Sequence, residues 1–180
     1  MLNASETGQY AGSGSRLHVL TYGCEIGAES IPNHNSSQDN ADLISEKIIS
    51  DLEKGHIRIA AGPIVVSRLG LVPKSDGGYR RIHYPSFPPA SSVNDAIPEE
   101  YGALVYTTVT AIQAHVISAG RGCLLLKRDI KDAFRIVPLS YRAKTLMGFS
   151  WEGVTYQECC LSFSLRTTPL IFNLFAEGLH

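Results

Sequence analysis

The segment from Cys123 to Pro138 reads CLLLKRDIKDAFRIVP and joins an apolar run to two aspartates. Three consecutive leucines are typical of a strand buried inside a sheet, and Asp129 stands where that strand would leave the core. A carboxylate at such a place has a fixed backbone and reaches solvent, as a ligand of a divalent cation must. Asp132 would reach the same side after one turn of helix. The alternative is structural, since aspartate is also common at strand ends and helix N-caps.

Upstream of this segment, two apolar stretches flank the sequence DGG at positions 76–78 and predict a β-hairpin. Glycine accepts the positive φ that tight hairpin turns need, so Leu69–Lys74 and Tyr79–Tyr84 are predicted to pair as strands. Arginine can hold a phosphate with two parallel hydrogen bonds, and lysine acts on it as a point charge. A solvated hairpin without a ligand is the alternative. The basic residues near the predicted tip are Lys74, Arg80 and Arg81.

The rest of the chain predicts a mixed α+β architecture. Isoleucines and leucines at helical spacing predict a helix over Ala41–Lys54, capped by Asp39 or Asn40 and ended by Gly55. The other predicted elements are helices over Thr107–Ala119 and Thr168–Glu177 and a second hairpin formed by Thr145–Ser150 and Val154–Gln157. The last helix is so apolar that we expect it to be buried.

The charge distribution leaves nucleic acid open as a partner. The 180 residues carry a net charge of −1, which excludes the strongly basic composition of many small nucleic-acid-binding proteins. However, residues 56–150 hold 12 basic and 6 acidic side chains, a net +6, whereas residues 1–55 hold 3 and 8. A basic middle segment between acidic ends is compatible with a phosphate-rich ligand.

Other sequence signals exclude several classes of site. The 4 cysteines have no C-x-x-C spacing and the 6 histidines no metal-ligand spacing, which favours reduced, structural cysteines in an intracellular protein. We expect no secretory signal and no contact with a membrane, because no stretch approaches the roughly 20 apolar residues of a spanning helix. Glycine, serine and asparagine dominate the first forty residues, including Asn33–Ser37, and predict a flexible tail over residues 1–40.

Three blocks of the remaining sequence, in this order, resemble the reverse transcriptases of retroelements. LGLVPKSDGGYRRI (Leu69–Ile82) resembles the fingers hairpin, and LLKRDIKDAFRIVPL (Leu125–Leu139) resembles the motif with the first catalytic aspartate. CLSFSLRTTPLIFNLFAEGL (Cys160–Leu179) resembles the loop that leads into the long palm helix. The amino-acid sequence of these blocks is similar to that of the reverse transcriptases of tyrosine-recombinase (DIRS-type) retrotransposons. The resemblance implies a partial reverse-transcriptase domain over residues 41–180, with fingers and the first part of the palm.

The resemblance also implies roles for residues of the middle motif. Asp129 would be catalytic and would bind Mg²⁺ or Mn²⁺ together with the carbonyl of Ile130, lowering the pKa of a primer 3′-hydroxyl. Asp132 and Ala133 would offer backbone N–H groups to a triphosphate. Phe134 would be the steric gate that rejects a 2′-hydroxyl.

Residues of the other two motifs would complete the site. Lys74 and Arg80 would hold the β- and γ-phosphates, and Phe163 would lie near the sugar of the nucleotide. Contacts to the template are implied for Arg166, Thr167, Thr168 and Pro169. The implied partners are an RNA or DNA template–primer, dNTPs and the remaining palm and thumb portion of a polyprotein.

Two departures from the family pattern affect the functional hypothesis. Ser164 stands where the loop usually has glycine, so a Cβ occupies a position that can need unusual φ. The Tyr-x-Asp-Asp turn, which carries the other catalytic carboxylates, is not found in the 180 residues. We therefore expect an RNA-directed DNA polymerase fragment that is inactive as an isolated chain, with the metal required only by the full-length enzyme. The alternatives are a non-catalytic nucleic-acid-binding remnant of a decayed retroelement and a product that does not fold stably.

Overall fold

The computed structural model describes residues 31–75, 77–127 and 129–178. These residues form an α+β fold with two small antiparallel sheets. The helices are α1 (Asn35–Gln38), α2 (Ala41–Glu53), α3 (Val109–Ala119), α4 (Tyr141–Lys144) and α5 (Thr168–Glu177). The strands are β1 (Ile57–Ile59), β2 (Arg68–Pro73), β3 (Tyr79–Tyr84), β4 (Gly148–Trp151) and β5 (Val154–Glu158), and short 3₁₀ turns cover Glu99–Tyr101 and Ala133–Ile136.

Strands β2 and β3 form the predicted hairpin, with Arg68 opposite Tyr84 and Pro73 opposite Tyr79. Gly77 has φ of +83° in the turn, which confirms the reason for glycine at this position. Side chains alternate along β3, so Arg81 is buried whereas its neighbour Arg80 is exposed. The hairpin therefore presents one arginine to the interior and the next to solvent.

The second sheet has the strand order β1–β5–β4, with all neighbours antiparallel. Glu152 and Gly153 connect β4 to β5 with φ of +48° and +77°, as two-residue hairpin turns with positive φ at both positions require. The predicted second hairpin is thus confirmed, shifted by a few residues. Strand β5 ends at Glu158, whose side chain is completely buried.

Two apolar clusters hold these elements together. One joins α2 to both sheets, and the other is formed by residues of the segments that connect the helices and strands. The first contains Ile44, Ile48, Ile57, Leu69, Leu71, Phe149 and Trp151, and the second Val65, Val93, Leu139, Met147, Leu161 and Leu165. The helix predicted from the spacing of the isoleucines is thus confirmed as α2. Asn40 lies at its N-cap position, but its side chain makes no capping hydrogen bond.

The prediction of a loosely packed tail is wrong for its last residues. The backbone N–H of His34 donates to the Leu69 carbonyl at 2.8 Å, and Asn33 accepts a hydrogen bond from the N–H of Leu69 at 2.9 Å. Ser37 is completely buried and donates to the Leu69 carbonyl at 3.1 Å. Short polar side chains here satisfy the outer backbone groups of β2 instead of forming a flexible linker. Residues 1–30 lie outside the described residues.

The predicted buried strand over Cys123–Leu126 is also wrong. This segment has no strand conformation, and Leu124 is 97% exposed. An apolar run becomes a buried strand only when other strands pair with it, and neither sheet formed by the described residues includes this segment. Helix α5 forms as predicted over Thr168–Glu177, but Leu174 on it is 61% exposed, against the expectation of burial. No helix in the described ranges is both long and apolar enough to cross a membrane.

Candidate functional site

A cleft of about 840 Å³ lies between the β2–β3 hairpin, helix α2 and the segment that starts at Asp129. Its volume is that of a small-molecule binding site. All residues that the sequence assigned to a metal or a nucleotide line this one cleft. They are Lys74, Arg80, Asp129, Ile130, Asp132, Ala133, Phe134 and Phe163. The structure thus brings together residues that are up to 89 positions apart in the chain.

The two aspartates predicted for the metal site, Asp129 and Asp132, are joined by a segment that makes a sharp turn at Asp132 and not by the predicted turn of helix. Asp132 has φ of +53° and ψ of +35°, a left-handed conformation that aspartate tolerates better than most residues. Its carbonyl accepts a hydrogen bond from the N–H of Arg135 at 2.7 Å, which starts the 3₁₀ turn Ala133–Ile136. The Asp129 and Asp132 side chains are both exposed, and neither has a hydrogen-bond or ion-pair partner among the described residues.

The carboxylates of the cleft fit a divalent cation only in part. Exposed carboxylate oxygens are suitable ligands for Mg²⁺, which is commonly held by one or two carboxylates together with substrate phosphates. Asp129 and the Ile130 carbonyl therefore fit such an ion. Within residues 31–75, 77–127 and 129–178, no group of three or more acidic, histidine or cysteine side chains could hold a metal by itself.

An aromatic cluster forms one wall of the cleft. The ring centroids of Phe134 and Phe163 are 4.7 Å apart at an interplanar angle of 65°, and those of Phe134 and Phe172 are 5.4 Å apart at 77°. Such edge-to-face contacts restrain a ring beyond simple burial. Phe134 is therefore fixed between a loop residue and helix α5. Sequence reasoning missed the role of Phe172, since the helical apolar pattern alone does not show which ring it contacts.

The basic wall of the cleft is the tip of the hairpin. The guanidinium carbon of Arg80 lies 4.2 Å from the centroid of the Phe163 ring, within the range of a cation–π contact. Lys74 is exposed at the end of β2, and its N–H donates to the Gly78 carbonyl at 2.7 Å. Two positively charged side chains thus line the same cleft as Asp129 and Asp132.

In the deep part of the cleft lies a cluster of four charged side chains, of which Glu158 and Arg81 are buried and Asp51 and Arg135 are partly buried. The sequence did not indicate this cluster, and it predicted Arg81 as a basic residue of the hairpin tip. Glu158 forms ion pairs with Arg81, at 3.0 Å, and with Arg135. Arg81 also donates twice to Asp51 Oδ2, from Nε at 3.0 Å and from Nη2 at 2.7 Å. Burial by itself would raise the pKa of Glu158, but the charges of Arg81 and Arg135 outweigh it and hold that pKa below its usual value.

His83 lies next to this cluster in the interior. Its Nε2 lies 2.8 Å from the Gly148 carbonyl oxygen. A carbonyl oxygen only accepts hydrogen bonds, so Nε2 carries the proton and donates it. Burial lowers the pKa of His83 from 6.5 to about 4, with Arg81 and Arg135 adding to the effect and Glu158 opposing it. The ring is therefore neutral at pH 7.

The residues implied in template contact lie outside the cleft, and one of them needs correction. Thr168 is completely buried, and its hydroxyl donates to the Ser162 carbonyl at 2.6 Å, so it shapes the loop and cannot contact a template in this conformation. Arg166 donates from Nη1 to the Ile97 carbonyl at 2.6 Å. Thr167 and Pro169 are partly exposed at the start of α5.

The loop before α5 accommodates serine where the family pattern has glycine. Ser164 is not among the described residues with positive φ, so its Cβ introduces no backbone strain. Its carbonyl accepts a hydrogen bond from Asn94 Nδ2 at 2.8 Å, and Asn94 Oδ1 accepts from the N–H of Arg166 at the same distance. Asn94, which belongs to a distant segment of the chain, thus holds the loop through two hydrogen bonds to its backbone. Its position in the sequence does not indicate this role.

Comparison with protein-family models finds no match, and neither does comparison with curated proteins. Solved structures do match. A foamy viral protease–reverse transcriptase in complex with double-stranded DNA is 17% identical with a TM-score of 0.57, over 84% of this chain and 24% of that one. The native prototype foamy virus protease–reverse transcriptase is 19% identical with a TM-score of 0.58, over 84% and 18%.

A third match is the foamy viral enzyme in complex with an RNA/DNA hybrid, at 17% identity and a TM-score of 0.55 over 82% and 18% of the two chains. The chain therefore spans about a fifth to a quarter of the length of these proteins. At this level of identity the likeness concerns the fold alone. The described residues have the α+β fold of part of a reverse transcriptase.

Proposed function

We propose that this chain is the nucleotide-binding portion of an RNA-directed DNA polymerase, comprising the fingers and the first part of the palm over residues 41–180. Within that class of enzymes, it would belong with the reverse transcriptases of DIRS-type retrotransposons. The observation that carries the proposal is the single cleft lined by all the residues implied in metal and nucleotide binding.

The cleft suggests how its residues would hold a deoxynucleoside triphosphate. Lys74 and Arg80 would bind the phosphates from the hairpin side, and the backbone of Asp132 and Ala133 would bind them from the opposite side. Phe134, fixed by its aromatic neighbours, would exclude a 2′-hydroxyl. Asp129 and the Ile130 carbonyl would hold Mg²⁺ or Mn²⁺, which when bound lowers the pKa of a primer 3′-hydroxyl and neutralises phosphate charge.

The isolated chain is proposed to bind nucleotide without extending a primer. Polymerase chemistry places two metal ions on several carboxylates, whereas this cleft contributes Asp129 and Asp132 beside two acidic residues of α2, Glu46 and Asp51, the second of which is paired with Arg81. Primer extension with Mg²⁺ or Mn²⁺ tests this part. Incorporation of dNTPs that Asp129→Asn abolishes would contradict it.

Nucleotide binding itself is tested by titrating dATP with Mg²⁺ and following the affinity. Replacing Lys74 by alanine removes one phosphate contact and is expected to weaken binding about tenfold, or roughly 1.4 kcal/mol. Lys144→Ala is the matched control, since Lys144 lies on α4 outside the cleft. Equal effects of the two substitutions, or no binding by the wild-type chain, would refute the proposal.

A second candidate function is a nucleic-acid-binding remnant without catalysis. The net charge of +6 over residues 56–150 favours it, as does the exposure of Arg121, Lys127, Lys131 and Arg142. Binding to a template–primer should then weaken steeply as salt rises, because phosphate contacts release counterions. Absence of binding at low salt would exclude it.

A further inference from the structure

The Glu158 side chain joins three separate elements beneath the cleft. It is completely buried at the end of β5, with Oε1 accepting from Arg81 Nη2 at 3.0 Å and Oε2 accepting from Arg135 Nη1. Arg81 comes from β3, and Arg135 comes from the 3₁₀ turn Ala133–Ile136. Asp51 on α2 accepts the other hydrogen bonds of Arg81 and makes the four-residue cluster electrically neutral.

Each arginine of this cluster lines the deep part of the cleft and is also the direct neighbour of a more exposed residue that lines it. Arg81 follows Arg80 in β3. Because side chains alternate along a strand, Arg81 is buried while Arg80 lies over Phe163. Arg135 follows Phe134, whose ring contacts Phe163 and Phe172. A single carboxylate therefore holds the two arginine side chains that follow Arg80 and Phe134 in the chain, and so joins β3 to the 3₁₀ turn at those two places.

We propose that Glu158 is a positioning residue, which sets the separation of the two cleft walls so that Arg80 and Phe134 can act on one nucleotide together. The proposal rests on the proposed function. Buried ion pairs contribute little net stability compared with apolar residues of similar volume. What such pairs provide is a fixed relative position of the paired side chains. Here each oxygen of the Glu158 carboxylate accepts a hydrogen bond from a different arginine.

Arg81 has a second restraint that limits its alternatives. Its guanidinium carbon lies 4.5 Å from the centroid of the Phe149 ring, which is completely buried. Two hydrogen bonds to Asp51, one to Glu158 and this ring contact leave the side chain in one position. Arg135 has Glu158 as its only ion-pair partner among the described residues, so the 3₁₀ turn is the wall that depends most on Glu158.

The test uses a charge-balanced double variant, Glu158→Gln with Arg135→Gln. The single Glu158→Gln variant leaves two buried arginines with one carboxylate and is at risk of not folding. The double variant retains the Asp51–Arg81 pair and leaves no unpaired arginine. We expect it to melt cooperatively while its affinity for dATP with Mg²⁺ falls at least tenfold. The matched control, Glu177→Gln with Arg142→Gln, removes the same types of charge from exposed positions outside the cleft.

A second readout follows the cleft walls without any nucleotide. In chain labelled with 4-fluorophenylalanine, the ¹⁹F signals of Phe134 and Phe163 report the geometry of the two rings. We expect both signals to shift or broaden in the double variant and to stay unchanged in the control. A folded double variant with wild-type signals and wild-type dATP affinity would overturn the proposal.

The two readouts separate this proposal from the proposed function. If the ring signals move while the wild-type chain binds no dATP, Glu158 still positions the walls, and the nucleotide assignment fails. If dATP binds equally to wild-type and double-variant chains, the nucleotide assignment stands, and the role of Glu158 is refuted. Because Arg135 also lines the cleft, Arg135→Lys, which keeps the charge but offers a different donor geometry, tests for a direct contact with phosphate. Ring signals that move in this variant together with a loss of dATP affinity support the positioning role, whereas wild-type ring signals and wild-type affinity would refute it.

Discussion

Lowering the pH from 7 to 5 should destabilise the fold through His83. The unfolded chain binds a proton on this residue with a pKa near 6.5, whereas burial holds the folded pKa at about 4. Between these values the unfolded state carries more protons, so the free energy of unfolding falls as pH falls. Stability that depends on the neutral ring is present above pH 6.5 and is lost progressively down to about pH 4.

The two pKa values give the size of the effect. Over the whole window the difference corresponds to about 3 kcal/mol, and between pH 7 and pH 5 to roughly 2 kcal/mol. The charged groups that act on His83 are Glu158, Arg81 and Arg135. The pKa values of Glu158 and Asp51 are lowered in the folded chain. Protonation of these carboxylates therefore destabilises the fold only at lower pH and adds little above pH 5.

Urea unfolding at pH 7, 6 and 5 measures this dependence. The comparison variant is His83→Gln, whose amide can still donate to the Gly148 carbonyl but does not titrate. We expect its free energy of unfolding to change by less than half as much as that of the wild-type chain between pH 7 and pH 5. Equal pH dependence of the two chains would refute the assignment to His83.

Three further predictions concern the cleft and the second hairpin. Arg80→Ala should weaken dATP binding at least tenfold in a titration, and Arg80→Lys should restore little, because lysine lacks the planar guanidinium that lies over Phe163. Asp129→Asn should leave the melting temperature unchanged, since the side chain is exposed, but should abolish the contribution of Mn²⁺ to dATP affinity. Glu152→Gly should raise the free energy of unfolding by up to about 1 kcal/mol in urea titrations, since φ is +48° at this position.

Controls for these three predictions come from the same chain. Arg142→Ala, outside the cleft, should not affect dATP affinity, and a loss equal to that of Arg80→Ala would contradict the first prediction. A lower melting temperature of Asp129→Asn would show a structural role for this carboxylate. Gly153→Ala should destabilise the turn, since φ is +77° there and a Cβ would meet nothing within 4 Å, so strain alone acts.

Elements with strong local signals were predictable from the sequence. Glycines in the turn between Lys74 and Tyr79 indicated the first hairpin, and isoleucine spacing indicated α2, because both depend on neighbouring residues. The exposed leucines at 124–126 were mispredicted, since pairing in a sheet depends on residues elsewhere. The residues that line the cleft were identified by resemblance. Their convergence on one surface became visible only in the folded chain.

The buried charged cluster could not be predicted from the sequence. Glu158 follows an alternating strand pattern in which a charged residue is normally assigned to the surface. Its burial depends on Arg81 and Arg135, which are 77 and 23 positions away. No local sequence pattern indicates that three charged side chains so far apart in the chain are in contact in the fold. The left-handed turn at Asp132 was missed for a similar reason, because aspartate is also common in ordinary turns.

The contact between Arg80 and Phe163 orients a guanidinium without using its hydrogen-bond donors. A cation–π contact engages the flat face of the group, 4.2 Å from the ring centroid here, whereas the N–H groups lie in the plane of the guanidinium. A phosphate that enters the cleft would therefore meet a donor whose orientation is already restricted, and less side-chain entropy would be lost on binding. Lysine at this position would keep the charge but would lose that restriction.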